Sequence, residues 1–166
     1  MSYLVRAATL DDIDVLVRHR IAMFTDMGGP VDAETIDVGF RTWLRDLMPS
    51  GAYRAWLVES VDESDDAGST DAREIVAGAG ATIIPWPPGP RSAGNRLAFV
   101  YNVYTEAAHR RRGLARLVME TIHRWCAANG VTSVALNASV DGRQLYEAMG
   151  YVVAPSPMMF FSVGKV

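Results

Sequence analysis

The sequence predicts a mixed α/β (α+β) fold, and three observations carry that prediction. The chain has 166 residues, 49% hydrophobic and 21% charged, enough apolar material for one domain with a sizeable core. Apolar residues recur at three- and four-residue spacing in about four segments, and β-branched or aromatic runs fill the shorter stretches between them. The resulting order is strand, two helices, three strands, helix, strand, helix, two strands, which suits a sheet covered by helices. One domain over residues 1–166 is expected.

Residues 3–6 read as a short extended start. Thr9, followed three residues later by Asp12, is a capping pattern for a helix carrying Ile13, Leu16, Val17, Ile21 and Phe24, which Gly28-Gly29-Pro30 stops. Its His19 falls on the polar side. Ile36, Phe40, Trp43, Leu44 and Leu47 predict a second helix over 33–48, closed by Pro49-Ser50-Gly51. Residues 52–60 and 74–85 read as the strands of a hairpin with an overlong, mobile acidic loop between them. Proline-rich 85–90 leads to a strand over 97–105. Leu114, Leu117, Val118, Ile122, Trp125 and Cys126 then share one face of a helix that Asn129-Gly130 ends. A strand over 131–137, a helix over 141–149 and two last strands, 151–154 and 158–163, complete the chain.

Charge narrows the function. The net charge is −3, yet residues 62–74 hold six acids against Arg73, so the rest of the chain sums to +2. That body does not spread basic charge over a face, which argues against a nucleic-acid partner. No apolar run approaches the roughly 20 residues of a membrane span, so no membrane partner is expected. The single cysteine, Cys126, and the lack of a leader pattern over 1–23 point to the cytoplasm. The three histidines lack metal-ligand spacing, so no metal is expected. Gly78-Ala79-Gly80 lacks the third glycine of a dinucleotide fingerprint and reads as close packing in a strand. Met23, Met27, Met48, Met158 and Met159 read as core or pocket lining, and Cys126 as a buried spacer.

One stretch is chemically pointed. Arg110-Arg111-Arg112-Gly113-Leu114-Ala115 follows a strand by a short turn and opens a helix. A helix start presents unpaired N–H groups and the positive end of the peptide dipoles, so it attracts anions such as phosphate. The arginines add fixed charge there. Gly113 lets a ligand approach the backbone, and Ala115 keeps the next turn slim. Together they describe a pyrophosphate cradle, at a spacing unlike the nucleoside-triphosphatase loop.

This order matches Gln/Arg-x-x-Gly-x-Gly/Ala, and with it the sequence resembles the GCN5-related N-acetyltransferase (GNAT) superfamily. A second stretch agrees: Leu136-Asn137-Ala138-Ser139, then Leu145-Tyr146-Glu147-Ala148-Met149-Gly150-Tyr151, looks like that family's strand end and Leu-Tyr-Glu-x-x-Gly-aromatic helix. The resemblance is strong over about 97–153. It implies a mostly antiparallel central sheet of six to seven strands with about four helices, and acetyl-CoA as cosubstrate with an amine as acceptor. By the same resemblance, Val103 and Thr105 hold the acetyl carbonyl and pantetheine arm, and Arg110, Arg111, Arg112, Gly113, Leu114, Ala115 and Arg116 form the phosphate loop. Asn137 or Ser139 reaches the pantetheine arm, and Tyr146 protonates the departing thiolate. A strand glutamate of some members has no counterpart, since Phe99 occupies that neighbourhood. Glu106, one residue past the strand, is a candidate general base, and His109 a second one expected to lie exposed. The implied reaction is direct attack of a primary amine in a ternary complex, the alternative being a non-catalytic acyl-CoA sensor. Homodimers are frequent in the superfamily, so a homodimer is also an expectation.

Overall fold

The computed structural model describes residues 2–61, 73–90, 92–155, 158–161 and 163. Its sheet runs in the order β1 (Ser2–Ala7), β2 (Tyr53–Val61), β3 (Glu74–Pro85), β4 (Arg96–Thr105), β5 (Ser133–Leu136). The first four strands form an antiparallel meander, and β5 joins β4 in parallel. The hairpin of β2 and β3 is present as expected, while its acidic loop, residues 62–72, lies outside the described residues.

Side-chain alternation along β2 sorts the core into two layers. Trp56 and Val58 face α3 (Leu114–Ala128), packing with Val118, Met119 and Ile122. Tyr53, Ala55 and Leu57 face the opposite layer, built from α1 (Ile13–Asp26) and α2 (Ala33–Ser50). Such period-two partition is what a sheet covered on both faces requires. Gly78 and Gly80 belong to this packing: a Cβ at Gly80 would lie 1.8 Å from the Tyr53 hydroxyl, and one at Gly78 would lie 2.8 Å from a Leu57 methyl. Both glycines are there for space.

Local signals account for the helix ends. Thr9 and Asp12 form the expected capping box, but around a single 3₁₀ turn, Leu10–Asp12, from which α1 continues. Asp32 caps α2, whose end is Gly51 at φ 72, so Pro49 sits inside the last turn rather than closing the helix. After α3 the Val131 N–H returns to the Cys126 carbonyl at 2.9 Å and its side chain is buried, which shortens the expected strand 131–137 to Ser133–Leu136. α4 (Val140–Ala148) follows, capped by Ser139.

The sheet has five strands among the described residues, fewer than the six to seven expected. Residues 151–155 and 158–161 carry no strand, and Val152, Met159, Phe160 and Phe161 are exposed. Their residue types fit a pleated surface, but a strand exists only where a neighbouring edge takes up its backbone groups. Met27, Met158 and Met159 are likewise exposed, against the expectation of buried lining, whereas Cys126 is buried as expected.

Candidate active site

The site is made where β4 runs past the end of β5. β4 pairs with β5 only from Leu97–Ser133 to Val100–Leu136, and then runs on to Thr105 without it. Just beyond that point the register with β3 steps from Gly80–Tyr101 to Gly78–Tyr104, so two β4 residues, Asn102 and Val103, oppose Ala79 alone. Asn102 sits at φ 55, a left-handed conformation that asparagine tolerates better than most residues. The bulge resets the alternation. Val100 and Val103 belong to the α3 layer, while Tyr101 packs in the α1–α2 layer and the Tyr104 ring lies tilted against His19, centroids 5.1 Å apart. The strand therefore offers Val103 and Thr105 beside a wedge between β4 and β5.

At one end of this wedge stands the start of α3. Gly113, at φ 80, is its N-cap residue, no side chain caps the helix, and a Cβ placed on Gly113 would meet nothing within 4 Å. No side-chain cap takes up the first backbone N–H groups of α3, the groups that the sequence reading assigns to a phosphate. Arg111 is exposed and itself left-handed, at φ 58, and Arg112 reaches the Tyr3 hydroxyl at 3.1 Å. Leu114 is buried, Ala115 and Arg116 are half-buried, and Arg116 also faces Glu120 at 3.9 Å. Arg110 points elsewhere. Its guanidinium bonds Asp26 and the Thr105 carbonyl, at 3.0 Å for the latter, and lies over the Tyr104 ring. In this arrangement its charge tethers α1 to the end of β4.

On the other side of the wedge, the Ser139 Oγ accepts from the Gly142 N–H at 3.1 Å and is occupied as the α4 cap. Asn137 is exposed at the end of β5, with no side-chain partner among the described residues. Tyr146 packs into the α3-side core with its ring 5.7 Å from Tyr151. Burial pushes its phenol above the usual range, keeping the proton on oxygen. Tyr151 is held in turn by His123, whose Nε2 lies 2.6 Å from the hydroxyl.

Two histidines depart from expectation. His19 is fully buried rather than on the polar side of α1; its Nε2 is 3.4 Å from Glu106 Oε1, and neither ring nitrogen makes a well-formed hydrogen bond. Burial, with the Arg18 charge adding to it, holds its pKa down to about 4, so the ring is neutral. His109 is buried rather than exposed, because the chain turns inward there: its Nδ1 lies 3.2 Å from the Tyr3 hydroxyl. Glu106 stands between His19 and Arg18, paired to the latter at 2.9 Å.

A feature that residue spacing does not announce lies on the α1–α2 side of β4. A cavity of about 450 Å³ is lined by Arg20 of α1, by Ile36, Phe40 and Trp43 of α2, and by Tyr101 and Asn102 of β4. Phe40 and Trp43 read as core from their spacing alone. The one available signal is that Arg20 falls a helical turn before Phe24, on the apolar stripe.

A strand that outruns its neighbour and a helix start with no side-chain cap frame this candidate site, and comparison with known proteins gives the family of the fold. The sequence profile of the Acetyltransferase (GNAT) family matches residues 34–151, and the chain belongs to that family. Among solved structures, a GCN5-related N-acetyltransferase from Ralstonia eutropha JMP134 is 27% identical, with TM-score 0.78 over 96% of this chain and 99% of that one. A predicted acetyltransferase from Clostridium acetobutylicum, solved with acetyl-CoA, is 21% identical with TM-score 0.83 over 96% of each chain. The ribosomal-protein-alanine N-acetyltransferase of Brucella melitensis biovar Abortus 2308 is 19% identical, with TM-score 0.66 over 98% of this chain and 100% of its own. The latter two likenesses speak for the fold. Among curated proteins none matches the chain by sequence. No group of three or more metal-ligating side chains occurs among the described residues, and no described helix is long and apolar enough to cross a membrane.

Proposed function

We propose that the chain is one catalytic domain that transfers the acetyl group of acetyl-CoA to a primary amine, by direct attack within a ternary complex. The observation that carries this reading is the wedge: β5 ends opposite Val100, β4 runs on alone on that side to Thr105, and a short turn then leads to the uncapped start of α3. A pantetheine arm lying there would add itself to the β4 edge as a strand does, with its pyrophosphate over the first N–H groups of α3.

Each residue then has a task. Arg111, Arg112 and Arg116 supply charge near the phosphates, and the backbone of Gly113, Leu114 and Ala115 supplies donors. Arg110 contributes by holding Thr105 in place. The Val103 N–H polarises the thioester carbonyl, and the Thr105 backbone and Asn137 side chain position the arm, Ser139 being taken up as a cap. The amine nitrogen bonds to the acetyl carbon as the carbon–sulfur bond breaks, the electron pair leaves on sulfur, and Tyr146 gives that sulfur its proton. Glu106, directly or through water, takes the proton that the amine loses. The experiment is an amine panel at saturating acetyl-CoA with thiol release as the readout. Tight acetyl-CoA binding with no turnover of any amine would mark a non-catalytic sensor instead.

A further inference from the structure

The cavity beside β4 has apolar walls and one cation. Arg20 is half-buried against two rings, its Cζ 5.0 Å from the Phe24 centroid and 4.7 Å from that of Phe40. Its Nη1 donates to Asn102 Oδ1 at 2.6 Å. Among the described residues no carboxylate pairs with it, whereas Arg6, Arg41 and Arg110 each reach an aspartate. A guanidinium drawn out of water into an aromatic pocket loses hydration that one neutral acceptor and two ring faces restore only in part. Burial accordingly pulls its pKa below the usual arginine range, although it stays charged at any working pH. A cation left short of a counter-charge on a cavity wall is poised for an anion from outside.

The shape of the donor narrows which anion. Asn102 occupies one N–H of a planar fork of five, and the remaining edge matches a carboxylate through two parallel hydrogen bonds. Asn102 is also the residue before Val103, with consecutive Cα atoms about 3.8 Å apart, so a carboxylate on Arg20 lies within a few bonds of an amine at the reacting carbonyl. The walls opposite, Ile36, Phe40 and Trp43, suit an aliphatic or aromatic body. Resting on the acetyltransferase reading, we infer that the accepted amine carries a carboxylate held by Arg20, as in an apolar or aromatic amino acid. A phosphate monoester shares the anionic chemistry but not the flat two-oxygen edge.

The test compares matched probes on the full chain: aromatic and aliphatic amino acids, their carboxamides, the corresponding decarboxylated amines, and O-phosphoethanolamine. Calorimetry on protein saturated with CoA reads binding, and thiol release from acetyl-CoA reads transfer. Hydrogen bonds to charged groups contribute about 1.5–3 kcal/mol, so the amino acids should bind roughly 10- to 150-fold more tightly than their neutral twins. Arg20→Gln should level the two sets while leaving CoA affinity within about twofold. Equal binding of acids and amides, a preference for the phosphate, or a carboxylate preference that survives Arg20→Gln would each overturn the inference. If the variant does not fold, the wild-type comparison decides alone. Arg20-dependent carboxylate binding without thiol release keeps this site and refutes the transferase reading; thiol release from the decarboxylated amines at the amino-acid rate does the reverse.

Discussion

The two faces of the sheet are built from different materials. The α3 face is a core of Trp56, Val58, Val100, Val118, Met119, Ile122 and Tyr146, and the polar groups beside it are paired, Tyr3 with His109 and Tyr151 with His123. The α1–α2 face buries His19 and Asn102 outright, half-buries Arg20, and encloses a Tyr53 hydroxyl that makes no well-formed hydrogen bond and whose pKa burial pushes up to about 12. Apolar packing alone would not retain such groups, since each desolvated polar atom without a full set of partners destabilises the fold by about 1–3 kcal/mol. One face pairs its polar groups and the other leaves some of them short of partners, which supports the ligand surface proposed there. β4 connects the two, because its bulge puts the neighbours Tyr101 and Asn102 on the α1–α2 side while Val103 goes to the α3 layer.

The largest effect that can break this comparison is at Tyr146. On its proposed role, Tyr146→Phe keeps the ring's packing and removes only the proton donor, so turnover should fall by about 10²- to 10⁴-fold where chemistry is rate-limiting. Acetyl-CoA affinity and melting temperature should change little, because the hydroxyl acts on a charge that exists only as the thioester breaks. A folded variant with full turnover under those conditions would reduce Tyr146 to core.

Next comes a change in stability on the polar face. Gly80→Ala puts a methyl group where the Tyr53 hydroxyl already stands, with backbone on one side and a fully buried ring on the other. Overpacking of this kind should destabilise the fold by about 1–3 kcal/mol or more, read as a lower midpoint in urea at unchanged slope. An unchanged midpoint would show that the Tyr53 layer is looser than its burial implies.

Gly113→Val should act on binding. At φ 80 a β-branched residue adds about 1–2 kcal/mol of backbone strain and projects into space that the pyrophosphate is proposed to use. Acetyl-CoA affinity should drop about tenfold or more in a variant that still melts cooperatively, and calorimetry showing wild-type affinity would refute the cradle.

The most gradual effect is a pH dependence at His19, small at any one step of pH. Its folded pKa, about 4, lies below the ordinary value of 6.5, so between those limits the unfolded chain binds a proton that the native ring refuses. Stability from this group is therefore complete above about pH 6.5 and declines as pH falls toward 4, by at most about 1.4 kcal/mol per pH unit. The surrounding charges, Glu106 at 3.4 Å and Arg18 beyond it, should blunt the slope without reversing it. His19→Gln should flatten this limb of a urea-midpoint profile; an unaltered profile would assign the acid sensitivity elsewhere.

Elements with strong local signals are legible in the residue order alone. Helix periodicity, the Thr9–Asp12 box, the Gly113 start and the Asn129-Gly130 stop depend on neighbours within a turn or two, and each lies where residue order places it. The arginine–glycine stretch and the tyrosine of α4 are legible for the same reason. The parts that residue order misplaces depend on contacts distant in sequence. Residues 151–154 and 158–161 have strand-like composition, but pairing needs an edge that composition does not specify. Helix face and charged neighbours put His19 and His109 in solvent, yet both are buried, because α1 lies on β4 and the turn after β4 folds back to Tyr3.

By itself the sequence determined the periodicities, the caps and the backbone freedom at Gly113, because these are decided within a few residues along the chain. Only the tertiary structure decided that Arg110 pairs with Asp26 and that Arg20, Trp43 and Asn102 share one cavity. Those outcomes follow from helices α1 and α2 being laid across a bulged strand far from them in sequence. The partner of a charge is then settled by which surfaces meet, not by which residues adjoin it.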